Sequence, residues 1–324
     1  MAIVDAIGVI PALFFSSLLA YFFSSSSQDD SSNLPGGSQN EWRWILGIQS
    51  IAPGIFTILR FLIPESPRYH LNLDRLEETK TILQKVARMN RTSLPSGKLV
   101  PLQGAAVESR NPLLRFKELF STEVLRGTTP RIWIMAFCAQ FASAGSVFAL
   151  PKLLEDYFSL EQKAVSLYLL LGVIGVIPGL AVAWYVVEMS RKRALAAYYA
   201  VSSLGAIGFA VATLSSIRNV VFALVMSLVL RGGMEGMFSI LNTIRIEVYP
   251  TVNRVTAMGV SQVFYNLGGI ISPLIFGAMS QTNTLTWICM AIYALAYLSA
   301  VIPTITLSKH SDFTRKHVRD RIEC

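Results

Sequence analysis

The stretch RGGMEGMFSILNTIRIEVYPTVNRVTAMGVSQVFYNLGGIISP, residues 231 to 273, sets an arginine and a glutamate inside a long apolar run. A charged side chain at bilayer depth costs about 2.5–3.5 kcal/mol on insertion scales, so a chain that keeps such a pair points to function there. Arg231 and Glu235 are four residues apart, about one helical turn, on one face of a single helix. At that spacing each offsets part of the other's desolvation. Two readings follow: a structural ion pair buried between helices, or a charge facing an aqueous cavity. In the next run, Gln262, Tyr265 and Asn266 place polar groups near mid-membrane, with Phe264 beside them. An amide or phenol there either meets a polar solute or ties adjacent helices together.

Outward from this stretch the apolar character continues. Hydrophobic residues make up 52% of the chain and charged residues 15%, with a mean hydropathy of +0.49, which excludes an ordinary water-soluble domain. Crossing about 30 Å of hydrocarbon takes about 20 helical residues. Runs of that length fall near residues 1–23, 42–63, 132–151, 164–187, 194–214, 219–245, 255–279 and 285–307. They predict an all-α integral membrane protein of about eight transmembrane helices. The first run lacks a basic lead and carries Asp5, so it reads as a retained span and not as a secretory signal.

The distribution of charge predicts orientation. Lys and Arg exceed Asp and Glu by 28 to 20, an excess concentrated on one side of the eight-span scheme. Arg191, Lys192, Arg193, Arg245, Arg254, Lys309, Arg315, Lys316, Arg319 and Arg321 fall on that side, together with the basic segment between the second and third runs. Only Arg43, Lys152, Lys163 and Arg218 fall on the other. Positive-inside bias therefore places both termini in the cytoplasm. The acceptor sequence Asn90-Arg91-Thr92 would then lie in the cytosol and go unglycosylated. The basic excess is spent on topology, and no nucleic-acid partner is expected.

Four segments are expected: two helices in 1–63, a cytoplasmic connector over 64–131, a six-helix bundle over 132–307 and a basic tail over 308–324. Within the connector, Leu73, Leu76, Leu83, Val86 and Met89 recur near helical spacing among charges, which predicts an amphipathic helix. Pro95 to Arg110 reads as a linker. Gly175 to Gly179 and Gly232 to Gly236 have the small-x-x-x-small spacing that lets helix backbones approach closely, and Pro178, Pro273 and Pro303 can kink their helices.

Other chemistry is not indicated. Cys138, Cys289 and Cys324 form neither a disulfide framework nor a metal-ligand spacing, and His70, His310 and His317 make no ligand cluster and read as solvated. There is no phosphate-binding Gly-x-x-x-x-Gly-Lys loop, which argues against ATP-driven transport within the chain. No constellation supports an enzyme, a metal or a cofactor.

Two helices, a basic connector and six more helices resemble the latter two-thirds of a twelve-span major facilitator superfamily transporter, spans five to twelve. PESPRY, Pro64 to Tyr69, resembles the PESPRW signature that follows span six in sugar porters and organic ion transporters. LFSTEVLRGTTPRIW, Leu119 to Trp133, resembles the lead into span seven, and RIEVYPTVNRVTAMG, Arg245 to Gly259, resembles the ELYPTxxRxxGxG signature between spans ten and eleven. EMSRKR, Glu188 to Arg193, stands where the family has a DRxGRR-type loop, with Met189 and Arg191 departing from the pattern. The resemblance is closest to the organic cation/anion and synaptic-vesicle-protein-related group.

The resemblance implies a secondary or facilitative transporter of a small organic solute or ion, lodged in the bilayer and working by alternating access. The coupling ion, proton or sodium, is left open, as is the choice between plasma and organelle membrane. Arg231, Glu235, Gln262, Tyr265 and Asn266 become cavity candidates. Arg231 stands sixteen residues before Glu247, where relatives carry Lys or Arg; Asn266 stands where organic cation transporters carry Asp and organic anion transporters Arg. Glu65, Arg68, Glu188, Arg191, Lys192, Arg193, Glu247 and Arg254 become candidates for a cytoplasmic latch, against the simpler reading of a basic loop that fixes topology. The family's first four spans have no counterpart, so a truncated or fragmentary form is expected. The rival reading is a non-transporting relative with an assembly or regulatory role.

Overall fold

The computed structural model describes residues 14–19, 21, 41–61, 64–65, 67–72, 75–94, 112–121, 123–179, 181, 190–213, 219–249, 254–279 and 286–307. Most of the first expected span, Glu188, Met189, the linker and the basic tail lie outside them. The chain divides into two compact units, Pro35–Arg110 and a second containing Asn111–Cys324 together with Met1–Leu34.

The first unit carries α1 (Glu41–Arg60), α2 (Pro67–Asn72) and α3 (Leu76–Met89). On α1, Ile55, Phe56 and Ile58 are exposed although fully apolar, a pattern suited to hydrocarbon and not to water. Its apolar core runs over Leu46–Ile58, shorter than the expected span. The α3 helix opens with Glu77 and Glu78 and closes with Arg88, charges that complement the helix dipole at each end. Its Leu76, Leu83 and Val86 are partly buried while Lys80, Gln84 and Lys85 are exposed. The α2–α3 corner differs from expectation at His70, which is buried at 7% exposure and not solvated. Its Nε2 lies 2.6 Å from Glu65 and its Nδ1 2.9 Å from Glu78. Glu65, just before α2, thus meets a histidine one turn into that helix, an arrangement that spacing alone does not announce.

The second unit is a helix bundle of α4 (Pro112–Glu118), α5 (Glu123–Phe158), α6 (Gln162–Gly172), α7 (Arg191–Thr213), α8 (Val220–Glu247), α9 (Arg254–Met279) and α10 (Thr286–Ile305). A short 3-10 segment, Val173–Gly175, continues α6. Five helices here are long and apolar enough to cross a membrane, within α5 and α7 to α10, while the apolar helix Lys163–Gly179 is shorter; residues 180 and 182–187 of that expected span lie outside the described set. The main interfaces pair α5 with α9 and with α10, and α7 with α8 and with α10; α8 and α9 touch only sparsely. That gap leaves room for a cavity.

Beside its apolar core, the bundle buries small polar residues and exposes large apolar ones. Ser143, Ser202, Ser203, Ser239, Ser261, Ser272 and Thr304 are buried, whereas Leu204, Val221, Leu274, Leu295 and Ile302 are more than 60% exposed. Lipid tails are as apolar as leucine, so exposing leucine to them costs nothing, and helices associate through small residues and hydrogen bonds instead. Tyr199 donates to the Met135 carbonyl at 2.9 Å, Ser203 to the Ala294 carbonyl at 3.0 Å, and Ser143 pairs with Tyr297 at 3.0 Å. The two glycine motifs face each other: a Cβ on Gly232 would lie 2.6 Å from the Gly175 carbonyl oxygen. Tyr198 donates to the Gly179 carbonyl at 2.7 Å and packs its ring on Gly236, locking α7 into the same junction.

Candidate functional site

The faces of α5, α8 and α9 that turn toward one another line an open cavity of about 580 Å³. From α5 come Gln140, Ser143, Ala144, Val147 and Phe148; from α8 Met234, Glu235, Phe238, Ser239, Asn242 and Arg245; from α9 Gln262 and Tyr265. On α5 these positions follow the i, i+3, i+4, i+7, i+8 rhythm of one helical stripe. Among the described residues, the ions of the lining are Glu235 and Arg245, both on the α8 stripe, ten residues or roughly 15 Å of helix axis apart. Apolar wall is supplied mainly by Val147, Phe148, Met234 and Phe238, the last edge-on to Tyr265 with ring centroids 5.8 Å apart.

Three of the expected cavity residues, Glu235, Gln262 and Tyr265, line this space. Asn266 is not among the lining residues; exposed on α9, it accepts a hydrogen bond from the Gln262 amide at 3.3 Å and so fixes which way that amide points. Arg231 is not in the lining. It lies on the same α8 stripe, one turn beyond Glu235, where the neighbour has changed from α5 and α9 to the end of α6. There it covers Gly172, at which a Cβ would lie 3.0 Å from the Arg231 Nε. Glu235 and Tyr168 both act electrostatically on it.

Arg245 is the site residue that sequence reasoning passed over, having been taken as the start of a loop signature. It is only 3% exposed. Its Nη1 donates to Asn242 at 3.2 Å, and its Nη2 donates to Gln262 at 3.1 Å and to the Met258 carbonyl at 3.3 Å. The 3, 4, 3 spacing from Glu235 through Phe238 and Asn242 to Arg245 was available as a signal, since it continues one stripe past the motif boundary.

The signature segments form the base of the site. Tyr249 is buried and donates to Thr129 at 3.3 Å, joining the Arg245–Gly259 segment to the Leu119–Trp133 segment. Burial pushes the Tyr249 phenol above its ordinary range, against the Thr129 hydrogen bond and the nearby Arg245 charge. Trp133 stacks on Phe264 at 4.6 Å between centroids, and Arg254 donates to the Tyr249 carbonyl at 3.4 Å. Arg191 forms an ion pair with Glu247, while Lys192 donates to the Leu307 carbonyl at 2.6 Å, so the start of α7 holds the ends of both α8 and α10. Arg193 is exposed beside them. Glu65 is held by His70, in the other unit; Arg68 lies within α2.

Comparison with known proteins agrees with this architecture. The chain is 27% identical to the synaptic vesicle 2-related protein of Xenopus laevis over 264 residues, covering 75% of the chain and 46% of that protein. It is 27% identical to the organic cation/carnitine transporter 2 of Mus musculus over 267 residues, covering 81% and 45% respectively. The chain thus spans about half the length of the curated relatives it matches. Its fold is similar to that of the proton:xylose symporter XylE bound to 6-bromo-6-deoxy-D-glucose, with a TM-score of 0.67 at 15% identity over 95% of this chain and 64% of that one. The family model of the Major Facilitator Superfamily matches residues 1–273, which include the whole segment from Arg231 to Pro273. A continuous match of that extent, on a bundle of bilayer-length helices with apolar exteriors, makes this chain an integral, multi-pass membrane protein of the Major Facilitator Superfamily.

Proposed function

We propose that the chain is part of a secondary or facilitative transporter that moves a small organic solute or ion by alternating access, with the α5–α8–α9 cavity as its share of the solute path. One observation carries the reading: a cavity of about 580 Å³ among bilayer-length helices is lined with Gln140, Ser143, Glu235, Asn242, Arg245 and Gln262, groups that hydrocarbon would penalise severely. Polar groups kept at that depth, on a bundle of a transporter family, suit a hydrated path that lipid never enters. The names of the relatives, which include an organic cation/carnitine transporter and a proton:xylose symporter, support an organic solute without choosing one.

In this reading both termini face the cytoplasm, following the positive-inside distribution. Residues 1–63 supply the two helices that precede the connector, 64–131 the connector, 132–307 the six-helix bundle and 308–324 a cytoplasmic tail. The Arg191–Glu247 pair acts as a latch at the cytoplasmic end, closed in the geometry seen here.

The test is reconstitution of the purified protein into liposomes, with uptake of a panel of labelled organic cations, anions and sugars. Saturable flux of at least one solute is expected, together with a fall of tenfold or more on replacing Gln262 with Ala. Well-ordered protein that moves none of them would favour the non-transporting reading.

A further inference from the structure

The inner stripe of α8 carries an imbalance of charge that the cavity does not resolve by itself. Arg245 is 3% exposed, and each of its hydrogen-bond acceptors is neutral: the Asn242 and Gln262 side-chain oxygens and the Met258 carbonyl. Its Nε, also buried, has no acceptor. The nearest acid along the chain, Glu247, is committed to Arg191. Among the described residues no carboxylate pairs with the Arg245 guanidinium. Glu235 stands about 15 Å away along the helix axis, next to Arg231, on which its charge acts. Sequestering a guanidinium without a counter-charge is expensive, and Arg245, with two of its five N–H donors left over by these bonds, lines a cavity large enough for an organic molecule.

We propose that Arg245 is the anion-recognising residue of this cavity, and that the solute is an organic carboxylate whose apolar body lies against Val147, Phe148, Met234 and Phe238. The inference rests on the reading of the cavity as a solute site and adds its chemical class. A carboxylate at the guanidinium supplies the missing charge and an acceptor at once, and a charge-assisted bond of this kind is stronger than one to a neutral acceptor. Gln262 and Asn266 then act as positioning residues: Asn266 orients the Gln262 amide, whose oxygen holds the guanidinium against the cavity wall. The amides take no part of the anion's charge. They set where the cation stands.

Three isosteric probes test this on the purified full chain in lipid nanodiscs: 3-phenylpropionate, 3-phenylpropan-1-ol and 3-phenylpropylamine, with dissociation constants measured for each. The acid is expected to bind roughly tenfold or more tightly than the alcohol, as an added hydrogen bond to a charged group implies, and the amine weaker than both. Arg245→Gln should lower affinity for the acid about tenfold and leave the alcohol unchanged, while Arg245→Lys keeps most of the acid's advantage. An alcohol or amine that binds the wild-type protein as well as the acid overturns the assignment, even if the Arg245→Gln protein does not fold. Unchanged acid binding in a folded Arg245→Gln protein overturns it as well. Binding of none of the three would instead remove the cavity's role as a solute site, and the carboxylate assignment with it.

Discussion

At the level of single residues the molecule separates charges that share one stripe of one helix. Arg231, Glu235 and Arg245 repeat near helical period, yet Arg231 lies on Gly172 while Glu235 and Arg245 face the cavity. The sequence makes the stripe legible but not its neighbours, because what a helix face meets changes from turn to turn as flanking helices cross it at an angle. The Gly172 contact yields a sharp test. Gly172→Leu should displace the arginine and lower thermal stability, by about 1–3 kcal/mol as overpacking generally costs, whereas Gly269→Ala, whose added methyl would sit 3.2 Å from the movable end of Gln140, should be milder. Denaturation midpoints in detergent read both. Tyr199→Phe removes a fully buried donor to the Met135 carbonyl. Interhelical hydrogen bonds in membranes average about 0.6 kcal/mol, so a small drop in midpoint is expected there and a large one would mean that the hydroxyl organises more than a single bond.

At the level of helices, the α6 extension and α8 meet through backbone, with the Tyr198 ring of α7 packed at the same junction. The Gly175-to-Gly232 approach leaves no space for a Cβ, which would fall 2.5 Å from the Leu228 carbonyl oxygen if placed on Gly175. Gly175→Val should therefore force the helices apart and cost more than a substitution at Gly277, where open space surrounds the position. The ends of the helices are joined by charge. Arg191→Glu breaks the pair with Glu247 and sets two acids together at one end of α7 and α8. Restoring the pair in reversed order, Arg191→Glu with Glu247→Arg, should recover much of the lost stability, as measured in a double-mutant cycle. Absence of any coupling between the two positions would show that the helix ends are held by Lys192 and packing alone.

For the whole molecule, the spacing of polar and basic loops makes a statement about orientation. In a background with Cys324→Ser, a cysteine introduced at Lys309 should react with a membrane-impermeant maleimide only after permeabilisation, and Asn90 should carry no glycan in eukaryotic cells. Labelling of intact cells, or a glycan at Asn90, would reverse the assignment. Fold class was readable at this scale because eight long apolar runs admit few alternatives in a chain with 15% charged residues. The Arg245–Gly259 and Leu119–Trp133 segments resemble signatures of one family, and the Tyr249–Thr129 contact explains in physical terms why the two segments belong together.

Sequence alone determined that this is a helical, multi-pass membrane protein of a transporter family and that Arg231 and Glu235 share one face of a helix, because hydropathy, period and local signature are properties of adjacent residues. Only the tertiary structure decided that Arg245 and not Arg231 faces the cavity, that Asn266 holds the Gln262 amide from outside the lining, and that His70 is enclosed by two carboxylates. Each of those depends on which helix crosses which at a given turn, and that is set by packing between residues far apart in the chain, where a single glycine can admit a neighbour or an arginine.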